Sequence, residues 1–362
     1  DREVYNSEND SALNNLMSGL PFLRQELQPK VDNEGNLVKS NQGRGLASRL
    51  FENMISPAKY TEKVSSPIND EAMRLFESTG NNYAFIPTAA RNDIKADDGT
   101  MPTDEEFREY RQNLGTLNSE NAEALLDSAY YKSLSDEEKE LALRDLYSSM
   151  KVVAKEKAMP EYESDDKLAS VYKEYGPNVM QDYMAANYQV KKDGSTGLAG
   201  ANWQDALEAV ESIGGLTQED IGRLMRIRGD ERAEEVYSGY GNSGVADFYD
   251  LMRLADYDSN GRVSSDEMIP FLQTSSIDDY KKGDYLTYAG IADSDKYNTI
   301  RSRYGSDVVW DYAASTAQDY NGDGKTGQED MIVYLDSTDL TPVQKAYLFK
   351  TRYPDSKKRP WG

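Results

Sequence analysis

The stretch Asp256-Tyr-Asp-Ser-Asn-Gly-Arg-Val-Ser-Ser-Asp-Glu267 places oxygen-bearing side chains at the spacing of a calcium-binding loop. Asp256, Asp258 and Asn260 occupy loop positions 1, 3 and 5. A glycine at position 6 permits the sharp turn that directs these side chains toward one centre. The alternative is an Asp/Asn/Gly-rich turn that only connects two helices.

The second half of this stretch completes the expected set of calcium ligands. The main-chain carbonyl of Arg262 would bind from position 7, and Ser264 would bind from position 9, directly or through water. Glu267 at position 12 can close the shell with two oxygens. The stretch therefore predicts one complete Ca²⁺ site.

A second stretch, Asp319-Tyr-Asn-Gly-Asp-Gly-Lys-Thr-Gly-Gln-Glu-Asp330, follows the same pattern. Asp319, Asn321 and Asp323 stand at positions 1, 3 and 5, and the Lys325 carbonyl would bind from position 7. Asp330 at position 12 has a shorter side chain than Glu and reaches the ion less easily. We expect a second Ca²⁺ site here, with weaker binding.

Both stretches belong to a longer internal repeat. Related segments begin at Tyr175, Tyr240 and Tyr304, which gives a step of about 64 residues and three copies of one unit. The loop of the first copy, residues 189–197, aligns only if one residue is dropped. It has Gln189, Lys191 and Asp193 where oxygen ligands are needed, so we expect this loop to have lost its metal.

The composition excludes several classes of site. The 362 residues include no His and no Cys, which rules out a Ser-His-Asp triad, a Cys nucleophile, a Cys/His zinc site and disulfides. Among 64 acidic residues no catalytic pair can be singled out, and we expect no enzymatic activity. The net charge of -23 argues against nucleic-acid binding over most of the surface and suits cation binding.

The pattern along the chain predicts a mainly α fold in three parts. Residues 1–100 form a proline- and glycine-rich extended arm with short helices, residues 101–160 a small helical bundle, and residues 161–362 three helix-loop-helix units. In the arm we expect a hairpin tip within residues 30–38 and a helix from after Asn69 to Gly80. A loop-rich flank packed on its own helices is the alternative for the arm.

Capping signals locate the helices that follow. Thr103 with Glu106 predicts a helix to about residue 113, and Asn118 is expected to cap a second helix that ends near residue 133. Ser135 begins a third helix, which ends before Pro160 and carries an apolar stripe expected to face the core. The expected N-caps of the last helix in each repeat are Thr217, Asp278 and Thr341.

The two ends of the chain and its hydropathy add four expectations. No apolar run is long enough for a transmembrane segment, and no secretory signal is visible. Asp1 stands where an initiator Met is expected, which favours a fragment or a processed product. The basic end, residues 357–362, is expected to fray, with docking on an acidic partner as the alternative.

The loops at Asp256 and Asp319 resemble those of the EF-hand family, and the start of the second is also similar to a dockerin loop. Dockerins place two such loops much closer together, so the resemblance does not carry over cohesin binding. A second resemblance depends on the order of several short segments, which lie at residues 19–35, 55–57, 69–71, 85–87 and 128–139. This order is similar to very long phage virion proteins, among them tail tape-measure proteins and ejected polyvalent proteins.

The resemblance implies a calcium-stabilised, non-enzymatic structural component of a phage virion. Its expected place is the C-terminal end of a tape-measure protein at the tail tip, with other tail proteins and copies of itself as partners. A structural role for the ions is favoured over a role in calcium sensing. A sensor needs an apolar, Met-rich groove, and only 12 of the 362 residues are Met. The alternatives are a virion protein ejected into the host cytoplasm and a bacterial calcium-dependent adhesion or scaffold module.

Overall fold

The computed structural model describes residues 66–362 apart from 97, 193, 292 and 293. Helix accounts for 69% of the described residues, and none of them lies in a strand, which confirms the mainly α prediction. Fifteen α-helices occur in this part of the chain: α1 Pro67–Thr79, α2 Asp104–Asp127, α3 Ala129–Ser133, α4 Asp136–Ala158, α5 Lys167–Tyr175, α6 Pro177–Lys192, α7 Trp203–Ser212, α8 Gln218–Ile227, α9 Glu231–Ala255, α10 Ser265–Thr274, α11 Asp279–Tyr288, α12 Ser294–Tyr304, α13 Ser306–Ser315, α14 Gln328–Asp336 and α15 Pro342–Arg352.

The chain divides into two compact units, which meet in sequence between Met184 and Ala185. The sequence-based limits at residues 100 and 160 follow composition and repeats, and they stay predictions. In the first unit α2 packs along α4, α1 lies against both, and α5 packs on α4. Fully buried side chains hold this core together, among them Leu75, Tyr110 and Leu146.

The helix predicted after Asn69 is α1. It begins three residues earlier than predicted, at Pro67, because the Ser66 side chain accepts a hydrogen bond from the Asn69 N–H. It ends where expected: Gly80 takes the left-handed conformation at φ 78° and donates its N–H to the Phe76 carbonyl. The hairpin predicted within residues 30–38, and the rest of the arm up to residue 65, lie outside the described residues.

The predicted break between two helices near residue 113 is wrong. The Thr103 cap begins α2 as expected, but the helix continues through Asn118 to Asp127. Asn118 caps nothing and is fully buried inside the helix. Burial of the neighbouring Leu114 and Leu117 keeps this segment helical, because tertiary packing outweighs a local capping preference.

The other predicted caps are confirmed. Ser135 begins α4 with a reciprocal capping box, and Thr217, Asp278 and Thr341 each cap the helix that follows. The apolar stripe of α4 faces the core at Leu143, Leu146, Met150 and Val153, as expected. Leu141 of that stripe is exposed, so the prediction fails at this one position.

From α5 onward the same order of elements occurs three times: two helical segments joined at a glycine, a loop, and two more helices. In the second copy both segments belong to α9, which is bent at Gly241. The joining glycines are Gly176, Gly241 and Gly305, with φ of 83°, 67° and 102°. Their ψ values lie near 180°, a backbone region open essentially to glycine alone. In each of the three related sequence segments, the backbone therefore bends at a position that only glycine can occupy without strain.

In the second unit, successive sets of helices meet at close glycine contacts. A Cβ on Gly222 of α8 would lie 1.7 Å from the carbonyl oxygen of Asn242, the residue after the bend in α9. A Cβ on Gly283 of α11 would lie 1.7 Å from the carbonyl oxygen of Ser306, after the next bend. The same joint is thus built twice, and the absence of a side chain on each glycine allows the backbones to touch.

The C-terminal residues pack on the last two helices, so the expectation of a frayed tail is wrong. The Trp361 ring lies 6.0 Å from the Phe349 ring on α15, and its indole N–H donates to Asp336 on α14. Lys358 also pairs with Glu329 of α14. Among the described helices, none is both long and apolar enough to cross a membrane.

Candidate metal centre

The first predicted calcium loop connects α9 to α10. Asp256 follows the last residue of α9 and donates its N–H to the Met252 carbonyl, and Glu267 lies in the first turn of α10. Asp256 is buried, with 5% of its surface exposed. The two flanking helices therefore fix the first and last expected ligands.

Three of the predicted ligands come together. Carboxylate oxygens of Asp256, Asp258 and Glu267 all lie within 4.8 Å of one another. In the described part of the chain, no Lys or Arg lies within ion-pair distance of these three groups. Three adjacent like charges repel each other, so the cluster is suited to a bound cation.

Hydrogen bonds within the loop orient the first carboxylate. Asp256 Oδ1 accepts the Asn260 N–H at 3.1 Å, and Asp256 Oδ2 accepts the Gly261 N–H at 3.0 Å. Two residues with positive φ make these bonds possible, Ser259 at 54° and Gly261 at 80°. Ser259 is the one described non-glycine residue with positive φ, which marks a strained position in the loop.

The other three predicted ligands make different contacts. Asn260 donates its side-chain amide to Asp258 at 2.6 Å and accepts the Arg262 N–H at 2.8 Å. Ser264 caps α10, and its hydroxyl and N–H both donate to Glu267 Oε2 at 2.8 Å. Ser264 thus positions the carboxylate of Glu267. The binding of Ser264 to the ion, directly or through water, stays a prediction.

The second predicted loop, between α13 and α14, has the same backbone course. Asp319 Oδ1 accepts the N–H groups of Gly322 and Asp323, and its Oδ2 accepts the Gly324 N–H at 2.6 Å. Gly322 and Gly324 have φ of 75° and 83° at the positions that Ser259 and Gly261 hold in the first loop. The two loops therefore form the same turn from different residues.

The ligands of the second loop are less converged. Asp330 is buried and uses both oxygens on backbone donors, accepting from Asn321 at 2.9 Å and from Gly327 at 2.7 Å. These bonds, the one from Asn321 foremost, lower the pKa of Asp330 below its usual range. Asp323 accepts the Lys325 N–H, and the loop's carboxylates form no cluster like that of the first loop.

The corresponding loop of the first repeat is shorter, because α6 continues to Lys192. Gln189 and Lys191 therefore lie on a helix, and Asp193 is outside the described residues. The loop is closed by Asn187, whose side-chain oxygen accepts the Leu198 N–H at 2.9 Å.

Two residues that the sequence did not suggest reach the first loop from α7. Gln204 donates its side-chain amide to Asp256 Oδ2, and Trp203 donates its indole N–H to the Gly261 carbonyl at 3.1 Å. Both are more than 50 residues away along the chain, so no local motif reveals the contact.

The donor set fits a hard cation. Three carboxylates are oxygen donors of the kind that Ca²⁺ prefers. The N–H groups of Asn260 and Gly261 orient the first of these carboxylates. Comparison of the chain with protein families, curated proteins and solved structures finds no match.

Proposed function

We propose that the chain is a non-enzymatic structural module stabilised by two calcium ions, one in each loop. The observation that carries this proposal is the convergence of Asp256, Asp258 and Glu267 without a neighbouring cation. The repeated EF-hand-like order of helix, loop and helix and the shared positive-φ positions of the two loops support it further.

The role of the ion is structural rather than sensory. The helices on either side of the first loop already bury most of their apolar residues, with Leu254 the exposed exception: Leu251, Met252 and Ala255 are buried on α9, and Met268, Ile269 and Leu272 on α10. A sensor would hold such residues ready for exposure in a groove. Here the ion offsets carboxylate repulsion and links two packed helices, so metal binding and folding are coupled.

The proposed setting is a phage virion, in a tail tape-measure protein that contacts other tail proteins and copies of itself. What supports this setting is the order of segments between residues 19 and 139 that is similar to such proteins. Mass spectrometry of purified virions tests it: peptides of this chain belong in tail fractions, and their recovery only from host cytoplasm after infection would support an ejected protein instead.

The calcium proposal is tested by thermal melting with calcium and with a chelator. Calcium should raise the melting temperature, and Glu267→Gln should remove most of the rise because it deletes the bidentate ligand. Asp266→Asn is the matched control, since Asp266 is exposed in the same helical turn and lies outside the cluster. A melting temperature that ignores calcium would refute the proposal.

The second site is tested in the same way through Asp319→Asn. This change replaces one of the two carboxylate oxygens that accept the three loop N–H groups by an NH2 donor, and it removes the negative charge of the position-1 ligand. We expect the variant to lose the weaker of two calcium-binding steps in calorimetric titration, while the stronger step remains. Loss of the stronger step would reverse our ranking of the two loops.

A further inference from the structure

Two side chains from α7, in the preceding repeat, form hydrogen bonds with the first calcium loop. Gln204 and Trp203 begin α7, which belongs to the repeat whose own loop lacks the ligand residues. Asn202 caps this helix through the Asp205 N–H at 2.9 Å, so the position of both side chains is set by a defined helix start. Trp203 is buried and its ring lies 6.1 Å from the Tyr249 ring on α9.

We propose that Gln204 is a positioning residue for calcium at the first loop, and that Trp203 supports it. The proposal rests on the calcium function proposed above and adds a specific role for the first repeat. The first repeat, whose own loop lacks the metal ligands, supplies side chains that orient the ligands of the second repeat.

The contact of Gln204 fixes how Asp256 can bind an ion. Asp256 Oδ2 accepts two hydrogen bonds, from the Gln204 amide and from the Gly261 N–H, so this oxygen is turned toward protein donors. Oδ1 accepts one hydrogen bond, from the Asn260 N–H, so it is the oxygen with a lone pair left for the ion from position 1, and the carboxylate cannot rotate freely. Donors that orient a ligand in this way change metal affinity by about 10 to 100-fold when they are removed.

Trp203 acts on the other side of the same turn. Its indole N–H holds the Gly261 carbonyl, which fixes the peptide that joins Gly261 to Arg262. The next peptide carries the Arg262 carbonyl, the expected ligand at position 7, so fixing the Gly261–Arg262 peptide restricts where that carbonyl can point. Gly261 also has little free space toward α7, since a Cβ there would lie 3.0 Å from Gln204 Oε1.

The test is a metal titration of the full chain with Gln204→Met. Methionine keeps the length of the side chain and removes the donor. We expect a loss of about tenfold in calcium affinity at the first loop and no change at the second. Gln218→Met is the matched control, because Gln218 is exposed on α8 and takes no part in the loop.

Trp203 supplies a readout for the first loop, and the part of the emission that Glu267→Gln removes is assigned to that site. Tb³⁺ bound in the first loop lies next to this indole and should emit on indole excitation, and calcium competition then gives the affinity of that loop. Titrations are made well below the melting temperature of each variant, so that a loss of stability alone leaves the affinity unchanged.

The possible outcomes separate the two proposals. An unchanged affinity at the first loop in Gln204→Met, with normal binding by the wild type, would overturn the role of Gln204. An equal loss at both loops would also overturn it, since the effect would then be general. A wild type with no sensitised emission, indistinguishable from Glu267→Gln, would instead mean that the calcium site itself is wrong.

Discussion

At the scale of the residue, Asn118 is a polar group that the fold leaves unsatisfied. Its side chain is 0% exposed within α2, and neither its amide nitrogen nor its oxygen has a hydrogen-bond partner. A buried amide without partners costs about 1 to 3 kcal/mol. We predict that Asn118→Leu raises the free energy of unfolding by about 1 to 2 kcal/mol in urea denaturation.

Asn121 provides the matched control for this prediction. It is buried one turn further along the same helix, but its amide donates to the Leu117 carbonyl at 2.8 Å. Asn121→Leu therefore deletes a hydrogen bond and should not stabilise the protein. A gain of the same size from both substitutions would show that added apolar volume, not the unsatisfied amide, is the cause.

Asp311 on α13 gives a pH-dependent prediction. Burial raises the pKa of its carboxyl, and the charges of Asp279 and Asp307 act in the same direction. A hydrogen bond from Tyr334 and the charge of Lys345 oppose them, and the net result is a pKa of about 6. An unfolded Asp has a pKa near 3.9, so between about pH 4 and 6 the folded state binds more protons and stability falls as pH rises. Above that window the charged, half-buried group costs about 1 kcal/mol after allowance for solvent screening.

Asp311→Asn should therefore stabilise the protein by about 1 kcal/mol near pH 7.5 and have little effect near pH 4. Urea denaturation at the two pH values, in the presence of a chelator, measures the difference. Asp355→Asn, an exposed position in the C-terminal segment, serves as control. The same stabilisation at both pH values would contradict the raised pKa.

At the scale of the element, the sequence predicts helix ends well and long-range contacts poorly. The capping residues Thr103, Ser135, Thr217, Asp278 and Thr341 are all confirmed, because a cap is decided by three or four neighbouring residues. The failure at Asn118 and the unforeseen contact of Gln204 depend on parts of the chain that are far away in sequence.

The close contacts of Gly222 and Gly283 could be predicted only in part. Both glycines stand five residues after the N-cap of their helix, so a comparison of the repeats shows that the position is shared. Their role became visible only when each was found against the carbonyl that follows a bend. Repetition can thus mark a position as special, while its contact partner depends on the packing of the helices.

The joint at Gly283 leads to an element-scale prediction. Gly283→Ala would place a methyl group 1.7 Å from the Ser306 oxygen and force α11 away from α13. We expect a loss of about 2 kcal/mol, since overpacking costs about 3 kcal/mol and better helix propensity returns about 1 kcal/mol. Thermal melting and urea denaturation measure the change.

Gly239→Ala is the control for that joint. Gly239 is an exposed residue of α9, and the nearest atom to its added Cβ, the Tyr288 hydroxyl, would be 3.9 Å away. This substitution should stabilise the protein by about 1 kcal/mol through helix propensity alone. Effects of opposite sign at the two glycines would support the joint, whereas a stabilising Gly283→Ala would refute it.

At the scale of the whole molecule, both predicted calcium loops lie in the second compact unit, residues 185–362. The predicted ligands of each loop lie within twelve consecutive residues, so their spacing in the sequence was enough to name them. The sequence could not show that the two loops differ in how far their carboxylates converge, or that another repeat contacts the first loop, because these features depend on the folded arrangement.

This placement predicts that calcium stabilises one unit and not the other. The three Trp residues, Trp203, Trp310 and Trp361, all lie in the second unit, so Trp fluorescence reports its unfolding alone. At a calcium concentration 100 times the dissociation constant, each site should add about 2.7 kcal/mol to the stability of the unit that contains it. The fluorescence melt should therefore move to higher temperature on adding calcium.

Far-UV circular dichroism follows the helices of both units and should separate into two transitions, of which only the one that coincides with fluorescence moves. In Glu267→Gln that movement should shrink, while the other transition stays in place with or without a chelator. A single transition in both signals that shifts as a whole would mean that the two units unfold together. In that case the ion stabilises the entire chain, and its effect is not confined to the repeats that hold it.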